Sequence, residues 1–439
     1  MSVQSIREKI NLALYDSKEG VISLFKVGSF LVASLILSLL IYQFGFNPNL
    51  TVKAWILIAI KASFVFYIVK YLTNLLYSYK PTRFIKDSWF EGLLLLLILI
   101  NGTTYLISHE SLLNWLGKQL EFYQLENFYI LFLQSYFFIL VGIELGKAST
   151  HLTLLKMSPP KMLISSFIFL ILIGTGLLMM PEMTSQIEYM PFFDALFTSI
   201  SASCVTGLIV VDTATYFTQK GHTVLMLLIQ LGGLNIISFA TLLALFSKKG
   251  IGIKHQTILQ DNFSSESLLS GKGLLGKIFL FSFFMEFIGM IALYFTWNPG
   301  TNAPLLEDQF FFSLFHSVSA FNNAGFSLFS SGLQNHLVQN AHSMHLILAG
   351  LIFFGAVGFP VIDDVFNINR IKKSFKSSLY KLKLSTRISL YTTFVLLVFG
   401  TLMFYFLEQQ NTLNGMTIQG QLITSFFQSI TARTAGFNT

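Results

Sequence analysis

The segments SISASCVTGL (Ser199–Leu208), SVSAFNNAGF (Ser317–Phe326) and SITARTAGFNT (Ser429–Thr439) decide the reading of this chain. Each closes an apolar stretch too short to cross a bilayer, and each carries a glycine a few residues past a Ser- or Thr-containing turn. Aligned, the first two match Phe193 with Phe311, Leu196 with Leu314, Phe197 with Phe315, Ser199 with Ser317, Ser201 with Ser319, Ala202 with Ala320 and Gly207 with Gly325. The third supplies Phe427, Ser429, Thr431, Ala432 and Gly436, one residue shorter between helix end and glycine. Short Ser/Ala/Phe segments match by chance in many chains, but here the flanking order repeats as well, which marks an internal repeat.

That order is apolar span, half-helix, glycine loop, apolar span. It runs 162–180, 192–200, the Gly207 loop and 223–246. It recurs as 274–297, 309–319, the Gly325 loop and 344–366, and starts again as 387–407, 421–431 and the Gly436 loop. The third copy lacks its closing span and a fourth copy is absent, so the reading favours a longer parent chain. Four further spans precede the repeats, at about 27–46, 52–77, 88–107 and 127–146. The resulting division is a cytoplasmic N-terminus (1–26), a four-span extension (27–150) and pore repeats at 160–249 and 272–368. A basic cytoplasmic linker (369–386) and the incomplete third repeat (387–439) follow.

Composition supports a membrane assignment. The chain is 53% hydrophobic and 11% charged, against about 25% charged in ordinary soluble domains. Runs of this length fit a bilayer core of about 30 Å. Long apolar runs without strand alternation exclude an outer-membrane barrel, so the fold class is an all-α polytopic membrane protein. The net charge of +7 concentrates in a few loops, as the positive-inside rule requires, and not in a nucleic-acid-binding surface. Lys80, Arg83 and Lys86, then Lys147, Lys156 and Lys161, then Lys248, Lys249 and Lys254, then Arg370 to Arg387 mark the cytoplasmic side. Glu110, Glu121, Glu126, Glu182, Glu188, Asp212, Glu307, Asp308 and Glu408 mark the outside. The one cysteine, Cys204, excludes intrachain disulfides, and no catalytic signature such as HExxH or GxSxG is present.

Non-helical backbone at membrane depth is tolerated only inside protein or along a water-filled cavity. A half-helix entering from outside aims its negative dipole end at the membrane centre. The loop that follows exposes carbonyl oxygens, which can replace the hydration shell of a cation. Glycine serves where the backbone needs conformations closed to residues with a Cβ. The neighbouring side chains are then free to differ between copies, as Val205-Thr206, Asn323-Ala324 and Thr434-Ala435 do. Oxygen ligands suit hard cations, whereas a transition-metal site needs clustered His, Cys or carboxylates.

The segments CVTGL, FNNAGF and TARTAGFN resemble the first three filter loops of the Trk/Ktr/HKT superfamily of potassium transporters. LIQLGGLNIISF (Leu228–Phe239) and GFPVIDDVF (Gly358–Phe366) are similar to that family's spans after the first and second filters. The resemblance implies four span–half-helix–span repeats around one pore, in a homodimer in the plasma membrane with a cytoplasmic N-terminus. It implies potassium uptake with K+ as the transported ion, no covalent cofactor, and a separate cytosolic nucleotide-binding regulatory subunit. It also implies that Gly207, Gly325 and Gly436 are filter glycines, and that the backbones of Val205, Thr206, Asn323, Ala324, Thr434 and Ala435 bind the ion. Cys204, Asn322 and Arg433 would support the filter. In plant members, serine at the first glycine goes with sodium selectivity, so Gly207 favours potassium. The chain departs from the family at Asn235, where glycine is frequent, and in lacking the last repeat with its pore-facing arginine. Alternatives are a sodium-coupled or sodium-permeable relative, a non-conducting or structural subunit, and a secondary transporter. The last predicts inverted repeats, whereas these copies share one orientation.

Other residues carry expectations of their own. Cys204 is expected to pack behind the filter, and the Arg433 guanidinium to lie behind it, donating to carbonyls or an acid. His316 is expected to pack or hydrogen-bond. Glu286 lies within a span, where an acid is costly, and is read as serving either transport or bundle pairing. Asp363 and Asp364 sit at a cytoplasmic span end, where they would either draw cations toward the pore exit or, the favoured reading, serve as solvated caps.

Overall fold

The computed structural model describes residues 15–78, 81–89, 92, 93, 95, 96, 100, 159–186, 189–234, 271–296, 309–336, 338–366, 382 and 384–438. The expected span at 127–146, most of that at 88–107, and the basic loops at 248–254 and 370–381 lie outside these residues. The chain divides into two compact units, Met1–Leu155 with Phe246–Lys248, and Lys156–Leu245 with Lys249–Thr439. Among the described residues the structure is helical, with a single isolated bridge, Thr184 to Phe217, in place of strands.

In the first unit, α1 (Tyr15–Phe46) and α2 (Leu50–Leu76) pair, and α3 (Pro81–Asp87) follows. Ala33, Ile36, Ile56, Ile60 and Phe64 form its core, and the buried Tyr67 hydroxyl donates to the Ser29 carbonyl at 3.1 Å. The described part of α1 is already helical at Tyr15, well before the apolar run that marks its span. The ammonium of Lys53 donates to Asn47 Oδ1 at 2.7 Å, and that of Lys70 lies 5.4 Å from the Tyr67 ring centroid.

The second unit holds the repeats. The first comprises α4 (Pro159–Leu178), a 3-10 turn (Pro181–Met183), the half-helix α5 (Phe192–Ser203), α6 (Thr213–Tyr216) and α7 (Gln219–Gly233). The second comprises α8 (Gly271–Thr296), the half-helix α9 (Gln309–Phe321), α10 (His342–Val357) and α11 (Phe359–Phe366). The third comprises α12 (Leu384–Glu408) and the half-helix α13 (Ile418–Thr431). Polar caps set several starts. Thr218 Oγ1 accepts from Gly221 N, and Thr417 Oγ1 from Gly420 N, at 3.3 and 3.2 Å, satisfying donors the helix cannot. The Thr218 cap starts α7 four residues before the apolar run does.

Among the described residues four helices are long and apolar enough to cross a membrane: Ser17–Phe46, Leu50–Leu76, Gly276–Thr296 and Thr386–Glu408. Their exposed faces are apolar, as at Phe283, Phe287, Phe394 and Phe406, which suits contact with lipid. The expected continuous span 344–366 is corrected: the helix breaks at Gly358, whose φ is +83°. Pro360 has no N–H to carry the α10 hydrogen-bond ladder onward but is tolerated in the first turn of a new helix, and glycine accepts the left-handed link. Asp364, on the far side of the break, is buried and not a solvated cap.

The cores show how the repeats adjoin. One apolar cluster joins Leu178, Ala195, Leu225 and Ile229 of the first repeat to Phe315, Val318 and Phe326 of the second. Another joins Leu348, Leu351 and Ile352 of the second repeat to Phe427, Ile430 and Phe437 of the third. Helix α7 therefore packs on α9 as α10 packs on α13. The first and second repeats thus each complete their core with the half-helix of the repeat that follows.

Candidate ion filter

The three half-helices lead directly into the glycine loops. After α5, Cys204 N bonds to Ile200 O and Thr206 N to Ser201 O, both at 2.8 Å. After α9, Asn322 N bonds to Val318 O at 3.0 Å and Ala324 N to Ser319 O at 2.8 Å. This shared turn puts Val205 (φ +56°) and Asn323 (φ +59°) in the left-handed region, ahead of Gly207 (φ +78°) and Gly325 (φ +72°). Non-glycine residues pay roughly 1–3 kcal/mol for such backbone and keep it where the surroundings over-determine it. The third loop is built differently. Ala435 N and Gly436 N both return to Thr431 O at 3.0 Å, and only Gly436 (φ +72°) is left-handed. The one-residue deletion removes the strained position before the glycine.

The glycines nest against one another in chain order. A Cβ at Gly207 would collide with the carbonyl oxygen of Ala324, and one at Gly325 with that of Ala435. The same Cβ on Gly207 would stand 3.5 Å from the Gly325 Cα. At Gly436 that direction meets no atom within 4 Å. Loops one, two and three thus form an arc in which each glycine accommodates the carbonyl preceding the next glycine. Thr434 Oγ1 donates to Asn323 Oδ1 at 2.8 Å and Leu333 N to Asn438 O at 2.8 Å, tying loop two to loop three. Ser319 Oγ donates to Phe326 O and Thr431 Oγ1 to Phe437 O, at 2.8 and 3.2 Å, bracing the residue past each glycine.

A second threefold device lies deeper, and the sequence reading missed its function. Ser199 Oγ donates to Ile171 O, Ser317 Oγ to Glu286 O and Ser429 Oγ to Leu397 O, at 2.8, 2.7 and 3.0 Å. Each acceptor belongs to the first span of the same repeat. Three residues beyond it stands a glycine: Gly174, Gly289 or Gly400. A Cβ on any of them would collide with the serine hydroxyl. Glycines of the second spans seat the other end of the half-helices, since a Cβ at Gly232 would strike Ser203 O and one at Gly355 would strike Phe321 O. A glycine at a similar distance upstream of each matched serine was the signal available in the sequence.

The supporting residues divide. Cys204, Asn322 and Arg433 each stand three residues before a loop glycine. Cys204 is exposed, which corrects the expectation that it packs: its backbone caps α5 and its side chain points away from the core. Asn322 reaches Glu286 of its own repeat and Gln230 of the preceding one. Arg433 turns back onto α12, donating to Thr393 O at 3.4 Å and Thr393 Oγ1 at 3.3 Å. His316 is buried, with Nδ1 2.8 Å from Phe312 O and Nε2 accepting from Leu328 N at 3.3 Å and lying 3.1 Å from Ser327 Oγ. That pattern fixes the Nδ1–H tautomer, because a carbonyl can only accept. Among the described residues no three His, Cys, Asp or Glu side chains gather as a metal-ligand set; the oxygens that nest at the loops are backbone carbonyls.

Comparison with known proteins agrees with this architecture. The family model described as "TrkH: Cation transport protein" matches residues 127–439. The chain belongs to that family, one of cation transport proteins and not of enzymes. It is 38% identical over 291 residues to Ktr system potassium uptake protein B of Bacillus subtilis, covering 64% of this chain and 61% of that protein. It is 36% identical over 285 residues to the protein of the same name from Vibrio alginolyticus, covering 64% and 60%. With potassium/sodium uptake protein NtpJ of Enterococcus hirae the identity is 33% over 285 residues, covering 64% and 60%. The chain therefore spans about 60% of the length of these relatives. The crystal structure of the potassium transporter TrkH from Vibrio parahaemolyticus gives a TM-score of 0.44 at 15% identity, covering 68% of this chain and 56% of that one. That likeness is too weak to add to the family assignment.

Proposed function

We propose that this chain forms part of the pore of a potassium uptake system, in which a dehydrated cation passes the glycine loops on backbone carbonyls. The observation that carries the reading is the nesting of Gly207 on the Ala324 carbonyl and of Gly325 on the Ala435 carbonyl. Loops held this close bring backbone carbonyl oxygens together, as exchange for a hydration shell requires. In this reading Val205, Thr206, Asn323, Ala324, Thr434 and Ala435 supply carbonyls, and the C-terminal ends of α5, α9 and α13 add their negative dipole ends. Potassium is favoured over sodium by Gly207 and by the two relatives whose names specify potassium uptake. NtpJ, whose name specifies potassium and sodium, supports the second reading, a sodium-permeable pore on the same loops. The protein would act in the plasma membrane as a homodimer with its N-terminus in the cytoplasm, opened by a cytosolic nucleotide-binding subunit.

The test is Gly207→Ser in the full-length protein, read by competition of sodium against potassium in uptake by a potassium-uptake-deficient bacterium. The added side chain meets the Ala324 carbonyl at a left-handed position, so discrimination should fall. Unchanged selectivity at normal membrane levels would refute the filter assignment.

A further inference from the structure

Glu286 grips the second loop at two points. Its backbone carbonyl accepts from Ser317 Oγ at 2.7 Å, and its carboxyl Oε1 accepts from Asn322 Nδ2 at 3.1 Å. The side chain is buried, with the residue 3% exposed. Ser317 and Asn322 bracket the last turn and a half of α9 and the start of the filter loop. The Asn322 amide also donates to Val318 O at 2.9 Å and to Gln230 Oε1 on α7 at 3.0 Å, so three helices converge on one side chain. Its oxygen is lodged against Gly233, where a Cβ would collide with Asn322 Oδ1. The next residue, Asn323, is the strained left-handed one, and it is the residue Thr434 of loop three bonds to.

Among the described residues the other copies lack this acid–amide grip: Cys204 has no such partner in place of Asn322, and Arg433 of the third copy ties instead to Thr393. Ile171 and Leu397 occupy the place of Glu286, each receiving a serine hydroxyl on its carbonyl but offering no side-chain acceptor. We infer that Glu286, acting through Asn322, is a positioning residue that fixes the second filter loop and thereby sets the ion preference of the pore. The acid serves as a hydrogen-bond tether: it places the loop where it reads the ion, and the ion does not touch it. The reason lies in the arc. Loop two is the one that touches both neighbours, receiving Gly207 on the Ala324 carbonyl and placing Gly325 on Ala435. A displacement there changes two of the carbonyl nests at once.

The inference rests on the filter reading above, and the experiment separates the two. Full-length protein is expressed in a potassium-uptake-deficient bacterium, membrane levels are measured, and potassium and sodium compete for uptake. A parent protein without potassium-preferring uptake would overturn the filter reading and this inference together. With a potassium-preferring parent, Glu286→Leu, which copies Leu397 of the third repeat, should lower the preference by about fivefold or more, the scale of one lost buried hydrogen bond. Glu286→Gln keeps an acceptor oxygen and should retain the preference. Asn322→Ala should reproduce the Leu effect, and Glu286→Leu with Asn322→Ala should be no worse than either alone. The double variant also removes both members of the pair, so it decides the matter if Glu286→Leu does not reach the membrane. Parental preference in Glu286→Leu or in the double variant would overturn the inference. So would a loss in Glu286→Gln equal to that in Glu286→Leu, which would make the charge and not the tether the agent.

Discussion

Gly400 offers a clean test of how the half-helices are held, because one residue alone crowds it. The nearest atoms to a Cβ built there all belong to Ser429: the hydroxyl, which it would strike, then Cβ at 3.3 Å and Cα at 3.8 Å. Gly400→Ala should drive the hydroxyl off Leu397 O. The lost hydrogen bond is worth about 1 kcal/mol, and the forced methyl adds roughly 1–3 kcal/mol of overpacking. Replacing glycine by alanine inside a helix returns about 1 kcal/mol. The net destabilisation is roughly 1–3 kcal/mol. Ser429→Ala alone should cost about 1 kcal/mol. The double variant removes the obstructing hydroxyl and keeps the propensity gain, so it should be more stable than Gly400→Ala alone, with a coupling of roughly 2–4 kcal/mol. Thermal denaturation of the detergent-solubilised protein, followed by retention of the monodisperse peak, measures the order. Equal stability of Gly400→Ala and parent, or a double variant as poor as the sum of the singles, would refute the seat. Rescue should be weaker at Gly174 and Gly289, where Leu228 and Leu351 methyls also crowd the site at 2.6–2.8 Å.

Two glycines of α10 should respond oppositely in the same denaturation assay. A Cβ at Gly350 meets nothing within 4 Å, so Gly350→Ala should be neutral or stabilising by up to about 1 kcal/mol; Gly355→Ala strikes Phe321 O and should be strongly destabilising. His316→Phe removes the acceptor of the buried Leu328 N–H and should cost roughly 1–3 kcal/mol, whereas His316→Gln, which can still accept, should cost less.

Much of the architecture is legible because it is written in features that survive one-dimensional reading. Apolar runs give the spans, short apolar segments before glycine give the half-helices, and the repeat fixes their common orientation. Observed bounds differ mainly at capped or broken ends, such as Thr218 before α7 and the Gly358 break. That break was present in the letters, as Gly358-Phe359-Pro360, but the apolar run on both sides masks it. The need for glycine at Gly207, Gly325 and Gly436 was legible from the same logic, and all three have left-handed backbone. The left-handed backbone of Val205 and Asn323 was not, since neither residue type signals it and a turn closed by Ser201 and Ser319 carbonyls imposes it. Asn322 with Glu286 was also out of reach, because pairing them requires knowing that α8 and α9 pack in this register. Cys204 shows the converse error: a small thiol beside a filter glycine suggests packing, and the capped turn leaves it exposed.

The contrast between what repeats and what does not follows from which atoms do the holding. The serine pins use a main-chain carbonyl as acceptor, so the residue that owns the carbonyl is free, and Ile171, Glu286 and Leu397 occupy that place equally well. The glycine seats and the nested filter carbonyls are likewise main-chain contacts. A scaffold built that way keeps its geometry through divergence of its side chains, which is why three copies with little sequence in common still adjoin in one sense. It also leaves the side chains three residues before each glycine free to differ: a thiol, an amide tethered to an acid, and a guanidinium folded back on Thr393. Those positions distinguish one loop from another, and, if the loops form the proposed filter, substitutions there should alter ion preference more than substitutions that leave the main-chain contacts intact.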